Sequence, residues 1–436
     1  MEIRSFQRER DLKAIQRIWY EIGWIDSEAG AQAVADFVST SSCLTAAIDG
    51  EAECMAHTSP GLMRYANACR NPRLNPVLAA GINEDLPFCA VTAVMTSRVA
   101  RRLGLALQLT ARQVAAAALD GVPLAVLGVF DLGFYDRLGF GAGGYESMVR
   151  FDPATLRVDV PYRPPKRLGK QDWRAVHGAM MARRRGHGGC LLPEPELMKA
   201  ELGLRSSGFG LGYETDGALT HCLWLDAREV DHGPYHVAML AYRDGDQLLE
   251  LLGLLKSLGD QVSLIEMPEP PGIQLESLLD QPFRNRRNTR KSDFAASHQA
   301  HAWWQLRVLD VAACVERRYW PGDIVRFNLT LTDPIPAYLP HDSWGGCGGD
   351  YRVTVGPSSY AQTGHRDDLP TLHASVGAFS RLWFGVASAS SLAVTDGLRA
   401  VAACNSNPLD AGSAGPLLER LDEALCMPRP QLGWDF

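Results

Sequence analysis

The sequence predicts an α+β protein that folds as three consecutive domains. Strand and helix signals alternate through the first 150 residues and repeat more weakly as far as residue 290. The length of 436 residues fits about three domains of ordinary size. A proline-containing stretch at 161–165 and a basic run at 284–291 interrupt the pattern. We therefore expect domains at residues 1–155, 156–290 and 291–436.

The first domain shows the clearest signals. Apolar residues from Leu12 to Ile22 recur at helical spacing, and Asp49-Gly50 marks a hairpin turn. An alanine-rich helical pattern ends at Asp120-Gly121, as helices commonly do. The predicted elements are strands at 2–6, 44–49, 53–59, 87–96 and 123–130, helices at 12–22 and 107–118, and a helical turn at 134–138.

The rest of the chain is predicted in the same way. The second domain repeats the strand–helix–strand order, with a turn at Asp216-Gly217. Its predicted elements are strands at 208–215, 217–225, 235–242 and 262–267 and a helix at 247–258. The third domain is predicted to have helices at 303–315, 376–384, 388–396 and 416–425, and strands at 323–331 and 351–355.

Composition and charge exclude several classes of protein. Hydrophobic residues make up 46% of the chain and charged residues 21%, as in soluble globular proteins. A net charge of −7 gives no field that would attract nucleic acid or an anionic membrane. The basic run at 284–291 is a solvated linker or, alternatively, a nucleic-acid contact, but no aromatic residues interleave it. We expect no nucleic-acid partner.

No stretch approaches the ~18 consecutive apolar residues of a membrane helix. The N-terminal residues stay charged where a signal peptide would turn apolar. We therefore expect a cytoplasmic protein with no membrane partner. The 10 cysteines are scattered without a CxxC pair, and no HExxH spacing occurs, so we expect no metal. No GxSxG motif is present either, which argues against a hydrolase.

The most informative segment follows the predicted strand at 87–96. It contains Arg101, Arg102 and Gly104 directly before a helix. The first N–H groups of a helix, with the positive end of its dipole, suit a pyrophosphate. Gly104 would allow close approach, and the two arginines would add charge. Taken alone, the pattern also fits a helix that merely begins with arginine and glycine.

A second motif, FYDRLGF at 134–140, follows the next strand. The order strand, RRxGxA, helix, strand, FYxRxGF resembles the GNAT acyltransferase superfamily. Further segments narrow the resemblance to the Eis (enhanced intracellular survival) acetyltransferases. These are WQLRVLD at 304–310, ERRY at 316–319, the stretch 369–392 and the final Trp434-Asp435-Phe436.

The resemblance implies tandem GNAT folds, each a mixed, mostly antiparallel sheet with flanking helices, and a sterol-carrier-protein-like α/β domain at 291–436. It implies an N-acyltransferase that moves an acetyl or other short acyl group from coenzyme A to a primary amine. The acceptor would be a small molecule or a lysine side chain, attacking directly in a ternary complex. It also implies a homo-oligomer, a hexamer in the relatives. The alternative is a non-catalytic acyl-CoA- or lipid-binding protein on the same scaffold.

Roles for residues follow from the same resemblance. Tyr135 becomes the general acid, and the carboxylate of Phe436 becomes the general base. Trp24, Asp26 and Asp435 lie on the acceptor side. Leu103 stands where a basic residue is common, and Gly128 and residues 130–132 also depart from the expected pattern. The donor would contact Val94, Met95, Thr96, Arg101, Arg102, Leu103, Gly104, Leu105, Ala106, Leu107, Phe130 and Asp131.

These assignments are chemically reasonable. A protonated amine cannot attack a thioester until a base removes its proton, and a carboxylate can do so directly or through water. The pKa of a solvated α-carboxyl is about 3.3–3.7, so burial must raise it for efficient catalysis. A tyrosine with a pKa of about 10 can protonate a thiolate whose pKa is about 8.5. Without the surrounding motifs, Tyr135 could equally be a core aromatic residue.

Overall fold

A computed structural model describes residues 1–65, 85–129, 131–227, 229–282, 289–403 and 415–436. Within these ranges the strands form sheets of eight, seven and five strands. Across the same residues, no helix combines the length and the apolar composition needed to cross a bilayer.

The first third of the chain confirms the predicted alternation. Ile15 and Ile18 on the first helix are fully buried, and the hydroxyl of Ser27 caps the second by accepting the N–H of Gly30. That second helix was not predicted, because its small residues form a weak pattern. The elements are β1 (Glu2–Ser5), α1 (Arg8–Glu21), α2 (Glu28–Phe37), β2 (Ser42–Ile48), β3 (Glu51–Arg64), β4 (Asp85–Thr96), α3 (Leu105–Leu119), β5 (Leu124–Gly128), a 3-10 turn (Tyr135–Leu138) and β6 (Gly141–Ala142).

The middle of the chain also keeps its predicted strands and adds two helices that were not predicted. Those helices are α4 and α5, and both bury apolar side chains such as Val176 and Met198. The elements are β7 (Glu146–Phe151), β8 (Lys166–Leu168), α4 (Trp173–Ala182), β9 (Cys190–Leu191), α5 (Pro195–Leu204), β10 (Gly208–Thr215), β11 (Ala218–Ala227), β12 (Tyr235–Ala241), α6 (Gly245–Ser257) and β13 (Ile265–Pro268), with 3-10 turns at Pro153–Thr155, Lys170–Asp172 and Leu275–Leu278.

The last third corrects one prediction. Residues 304–308 form a strand, and only Val311–Val315 is helical, so the predicted helix at 303–315 is wrong over its first part. The strand sequence WQLRV does alternate apolar and polar residues, but the alternation spans only five residues and the apolar run of the following helix extends the helical prediction across it. The elements are β14 (Ser297–His301), β15 (Trp304–Val308), α7 (Val311–Val315), β16 (Val325–Thr332), a 3-10 turn (Ile335–Tyr338), β17 (Gly349–Val355), β18 (Tyr360–Thr363), β19 (Thr371–Ser375), α8 (Val376–Trp383), α9 (Ala389–Thr395), β20 (Arg399–Val401) and α10 (Gly415–Ala424).

The sheets are mixed and mostly antiparallel, as predicted. Their strand orders are β1-β2-β3-β4-β5-β15-β6 with β9 beside β3, then β14-β7-β13-β12-β11-β10-β8, and β18-β17-β16-β19-β20. The parallel pairs are β4 with β5, β12 with β13, and β16 with β19. Helix α3 connects the first of these pairs and α6 the second, so the second sheet repeats the order of the first.

Strands cross the predicted domain boundaries. β15, from the last third of the chain, lies between β5 and β6 in the first sheet. β7 and β14 pair with each other in the second sheet. The boundaries themselves stay a prediction, but the first sheet cannot form completely without a strand from the region 291–436.

A buried ion pair anchors β15 in the first sheet. Arg307 on β15 and Asp333 after β16 have side chains that are 0% and 1% exposed, with Nη2 and Oδ2 2.7 Å apart. Arg307 also donates to the carbonyl of Leu138. The carboxylate of Asp333 accepts the N–H of Cys347 at 2.9 Å. The pair therefore joins the first sheet to the loops of the third.

Replacing Arg307 by Met should leave the Asp333 charge buried without its partner. Breaking such a pair lowers the free energy of unfolding by about 3–5 kcal/mol. Thermal unfolding followed by circular dichroism would show the loss as a lower Tm. The matched control is Arg366→Met, because its pair with Asp368 is solvent-exposed and should leave the Tm nearly unchanged. Equal Tm values for the two variants would contradict the prediction.

Candidate active site

A cavity of about 1500 Å³ lies beside the ends of β4 and β5. Its wall is built from all parts of the chain. The first sheet contributes β4 and the start of α3, the second sheet contributes β12, and residues 431–436 close one side. Three consecutive arginines, Arg183, Arg184 and Arg185, also line it.

The cavity exists because two neighbouring strands diverge. β4 and β5 pair in parallel from Phe88 opposite Leu124 to Val91 opposite Leu127. β5 ends at Gly128, whereas β4 continues to Thr96, and among the described residues this continuation pairs only with β3. The β5-facing backbone of this part of β4 therefore has no strand partner within the described ranges and is available to a ligand.

A bulge in β4 accompanies the divergence. Ala93 lies opposite His57 and Val91 opposite Thr58, so Thr92 is the extra residue. The His57 ring lies 2.9 Å from the Thr40 carbonyl through Nε2 and 2.6 Å from the Thr92 hydroxyl through Nδ1. Because only an N–H can donate to a carbonyl, Nδ1 accepts from Thr92. Burial lowers the pKa of His57 to about 4, so the ring is neutral and this arrangement persists at neutral pH.

The predicted phosphate turn lies at one end of the gap. Arg101 and Arg102 are exposed and line the cavity. Arg102 and Gly104 have φ angles of 65° and 74°, in the left-handed region where glycine is favoured. Gly104 is the N-cap of α3, so the first N–H groups of the helix lack helical acceptors and are available to an anion. Leu105 and Leu107 bury their side chains and anchor the helix.

Tyr135 follows β5, in the 3-10 turn Tyr135–Leu138, and borders the gap. Its side chain is 9% exposed and lines the cavity. Its ring packs edge-on against Phe134 and Phe140, with centroids 4.9 and 6.2 Å away. Burial raises the pKa of Tyr135 well above its ordinary value. The hydroxyl is therefore protonated throughout the neutral range, but it is a weaker acid than an ordinary tyrosine.

The terminal segment, residues 426–436, reaches the same place. A Cβ atom built on Gly128 would lie 3.3 Å from the main-chain oxygen of Phe436. The Phe436 ring packs against Phe88 on β4, with centroids 5.9 Å apart. Asp435 is exposed to the cavity, and Trp434 is buried. The last residue thus lies directly beside the end of β5.

Comparisons with known proteins agree with this geometry. The family model described as an acetyltransferase (GNAT) domain matches residues 74–143, the region that contains β4, α3, β5 and Tyr135. The chain carries a GNAT acetyltransferase domain. This domain identifies the chain as an acetyltransferase-type enzyme. No curated protein sequence gives a significant match to the chain.

Solved structures share the fold over the whole chain. A conserved protein of unknown function from Enterococcus faecalis V583, a probable N-acyltransferase, is 16% identical with a TM-score of 0.72, covering 99% of this chain and 98% of that one. A GCN5-related N-acetyltransferase from Kribbella flavida is 17% identical with a TM-score of 0.69, covering 100% and 98%. Eis1 from Mycobacterium abscessus is 16% identical with a TM-score of 0.70, covering 100% of both chains.

Most of the predicted site residues line this cavity, which is formed by the GNAT domain together with the segments around it. Leu103 and Asp26 are exposed and do not line it, and Phe130 lies outside the described residues. The Trp24 ring contacts Trp19 edge-on at 5.3 Å. The predicted residues on the wall are Trp24, Val94, Met95, Thr96, Arg101, Arg102, Gly104, Leu105, Ala106, Leu107, Asp131, Tyr135, Asp435 and Phe436.

Two acidic residues near the terminal segment were not predicted. Burial raises the pKa of Glu146 to about 7, and the negative charge of Asp435 adds to the shift. Burial raises the pKa of Glu201 to about 7 as well, again with a contribution from Asp435. Glu201 accepts a hydrogen bond from the Trp434 indole at 3.2 Å. Neither residue belongs to a motif, so only the folded arrangement shows their relation to the cavity.

Proposed function

We propose that this enzyme moves an acetyl or other short acyl group from coenzyme A to a primary amine. The amine belongs to a small molecule or a lysine side chain and attacks the thioester directly in a ternary complex. The observation that carries the proposal is the gap between β4 and β5. A basic helix start, a protonated tyrosine and the last residue of the chain all border it.

The donor would lie along β4. Amide groups of an extended ligand can pair with the free strand edge as an added strand would. Its phosphates would then meet the N-terminus of α3 together with Arg101 and Arg102. A backbone N–H near the Thr92 bulge would stabilise the oxyanion of the tetrahedral intermediate.

The Arg102→Ala variant tests the donor site. Charge-assisted contacts contribute about 1.5–3 kcal/mol, so the Kd for acetyl-CoA should rise about 10- to 100-fold. Isothermal titration calorimetry with acetyl-CoA measures this directly. Arg399→Ala, an exposed arginine on β20, is the matched control and should bind as the parent protein does. Unchanged affinity of the Arg102 variant would refute the assignment.

Tyr135 would protonate the departing thiolate. Its raised pKa keeps the proton available, since deprotonation occurs only above the ordinary range. Transfer to a thiolate with a pKa of about 8.5 is correspondingly less favourable, and therefore depends on the two groups being held in contact.

In the Tyr135→Phe variant the ring remains and the proton is lost. We expect kcat to fall by about 10²–10⁴ while the Kd for acetyl-CoA changes little. In the parent enzyme, kcat should show no loss attributable to this group up to about pH 10. Tyr145→Phe, at an exposed tyrosine, serves as the control. Turnover of the Tyr135 variant at the parent rate would return this residue to a purely structural role.

The carboxylate of Phe436 would be the base. It lies beside the end of β5, and Glu146 and Asp435 add negative charge that favours a cationic acceptor. Proton removal from the ammonium would proceed directly or through one water molecule.

Changing the C-terminus tests this role. A Gly-Ser extension converts the carboxylate to an amide, and deletion of Phe436 moves the last carboxylate back by at most ~3.6 Å. Both variants should bind acetyl-CoA normally and lose acyl transfer by about 10²–10⁴, as measured by thiol release with an amine acceptor. An N-terminal extension of the same length should have no effect. If the C-terminally extended enzyme works at the parent rate, the base is a different group.

We also propose a division of the chain at residues 155 and 290 and a cytoplasmic location, which rest on the interruptions and the composition of the sequence. A sterol-carrier-like character of residues 291–436 and assembly into a homo-oligomer such as a hexamer are proposed from the resemblance of the motifs.

A further inference from the structure

The terminal segment has no secondary structure of its own. Residues 426–436 form neither helix nor strand. A free chain end normally frays, because few contacts restrain its backbone. The position of the Phe436 carboxylate must therefore be set by groups outside the segment.

One such group is Arg183, which follows α4. Its side chain is buried and donates to main-chain carbonyls on both sides: Nη2 to Cys190 at 2.7 Å and to Gly433 at 3.1 Å, and Nη1 to Met180 at 2.8 Å. The guanidinium carbon lies 5.2 Å from the centre of the Trp434 ring. Among the described residues no carboxylate pairs with Arg183, so these carbonyls and the ring are its compensation for burial.

The second group is Glu146 at the start of β7. One carboxylate oxygen accepts the N–H of Leu432. The other accepts the Trp303 indole N–H at 3.1 Å. Glu146 thus accepts the main-chain N–H of Leu432, and Arg183 donates to the main-chain carbonyl of the next residue, Gly433. A basic and an acidic side chain thus hold two adjacent residues, Leu432 and Gly433, four and three residues before the end of the chain.

We propose that Arg183 and Glu146 are positioning residues that hold the terminal segment, so that the Phe436 carboxylate stays at the end of β5. This inference rests on the proposed function, in which that carboxylate is the base. Neither side chain needs to touch the reacting atoms. A displacement of about 1 Å at a catalytic group can lower the rate by about 10²-fold.

Other contacts would keep the segment near its site when either side chain is changed. The N–H of Cys190 donates to the carbonyl of Leu432 at 3.0 Å, and Trp434 remains buried against Glu201. The variants should therefore loosen the segment without releasing it, which separates positioning from folding.

The experiment compares Arg183→Met, Arg183→Lys, Glu146→Gln and a control, Arg174→Met, an exposed arginine of α4. Three quantities are measured for each: the Kd for acetyl-CoA, kcat, and the rate at which a carboxypeptidase releases Phe436 from the intact enzyme. Arg183→Met should keep the Kd within about twofold, lower kcat by about 100-fold and speed the release. Arg183→Lys keeps the positive charge but loses the planar set of N–H donors, so its kcat and release rate should lie between those of Arg183→Met and the parent enzyme. Glu146→Gln should change kcat and release in the same direction but less.

Parent values of kcat and release rate in both Arg183→Met and Glu146→Gln would overturn the inference. A lower kcat with an unchanged release rate would also overturn it, because the residue would then act other than by positioning. If Arg183→Met fails to fold by circular dichroism, Glu146→Gln decides alone. The Gly-Ser-extended enzyme separates the two proposals. Full activity there refutes Phe436 as the base, whereas the release rates still report whether Arg183 and Glu146 hold the segment.

Discussion

The site depends on where one pair of parallel strands stops pairing. β4 and β5 are hydrogen-bonded only as far as Val91 and Leu127, and β4 continues beyond that point. Had the pairing continued, the free backbone would be used within the sheet and no cavity would open between the strands. The bulge at Thr92, held by the neutral His57 ring, bends β4 at the place where the pairing ends. The phosphate turn at residues 101–104 and Tyr135 can contact the same ligand because both border this gap.

The remaining side of the gap is closed by distant parts of the chain. β15 lies next to β5 in the first sheet, and the buried Arg307–Asp333 pair joins that strand to the loops of the third sheet. This arrangement carries the last third of the chain to the first sheet. The terminal segment then crosses between the first two sheets, bound by Arg183 and Glu146, and ends beside Gly128. Glycine at 128 leaves room for the last residue.

Local signals were enough to predict the donor side. The helix after Gly104, the strand before Arg101 and the turn containing Tyr135 each depend on neighbouring residues, and all three are confirmed. Features that depend on long-range packing were not found. β15 was predicted as a helix because its apolar–polar alternation, WQLRV, covers only five residues and runs into the apolar helix at Val311–Val315. The carbonyl contacts of Arg183 leave no mark in the sequence, since any residue can supply a carbonyl. His57, a histidine within an apolar strand, was the one visible signal of the bulge.

Charge is distributed unevenly around the cavity. On the donor side, Arg101 and Arg102 are exposed next to the start of α3. On the acceptor side, Arg183 is compensated by carbonyls, and Arg185 by Asp85, whose two oxygens lie 2.8 and 2.9 Å from its guanidinium nitrogens. Arg184 is exposed on the same wall, and Asp435 adds an exposed acidic group there. The acceptor side therefore carries charges of both signs, whereas the turn before α3 carries exposed arginines that suit an anionic donor.

The raised pKa values of Glu146 and Glu201 make the stability of the acceptor side depend on pH. Both are near 7 in the folded protein, against an ordinary value of about 4.5, because burial disfavours the charged form. As pH rises from 4.5 towards 7, the unfolded chain loses these protons before the folded protein does, so stability falls over that interval. An ammonium group bound nearby would favour the ionised carboxylates and offset part of the loss. The acidic surroundings of the terminal segment would thus be least favourable when the cavity is empty and most favourable when a cationic acceptor occupies it.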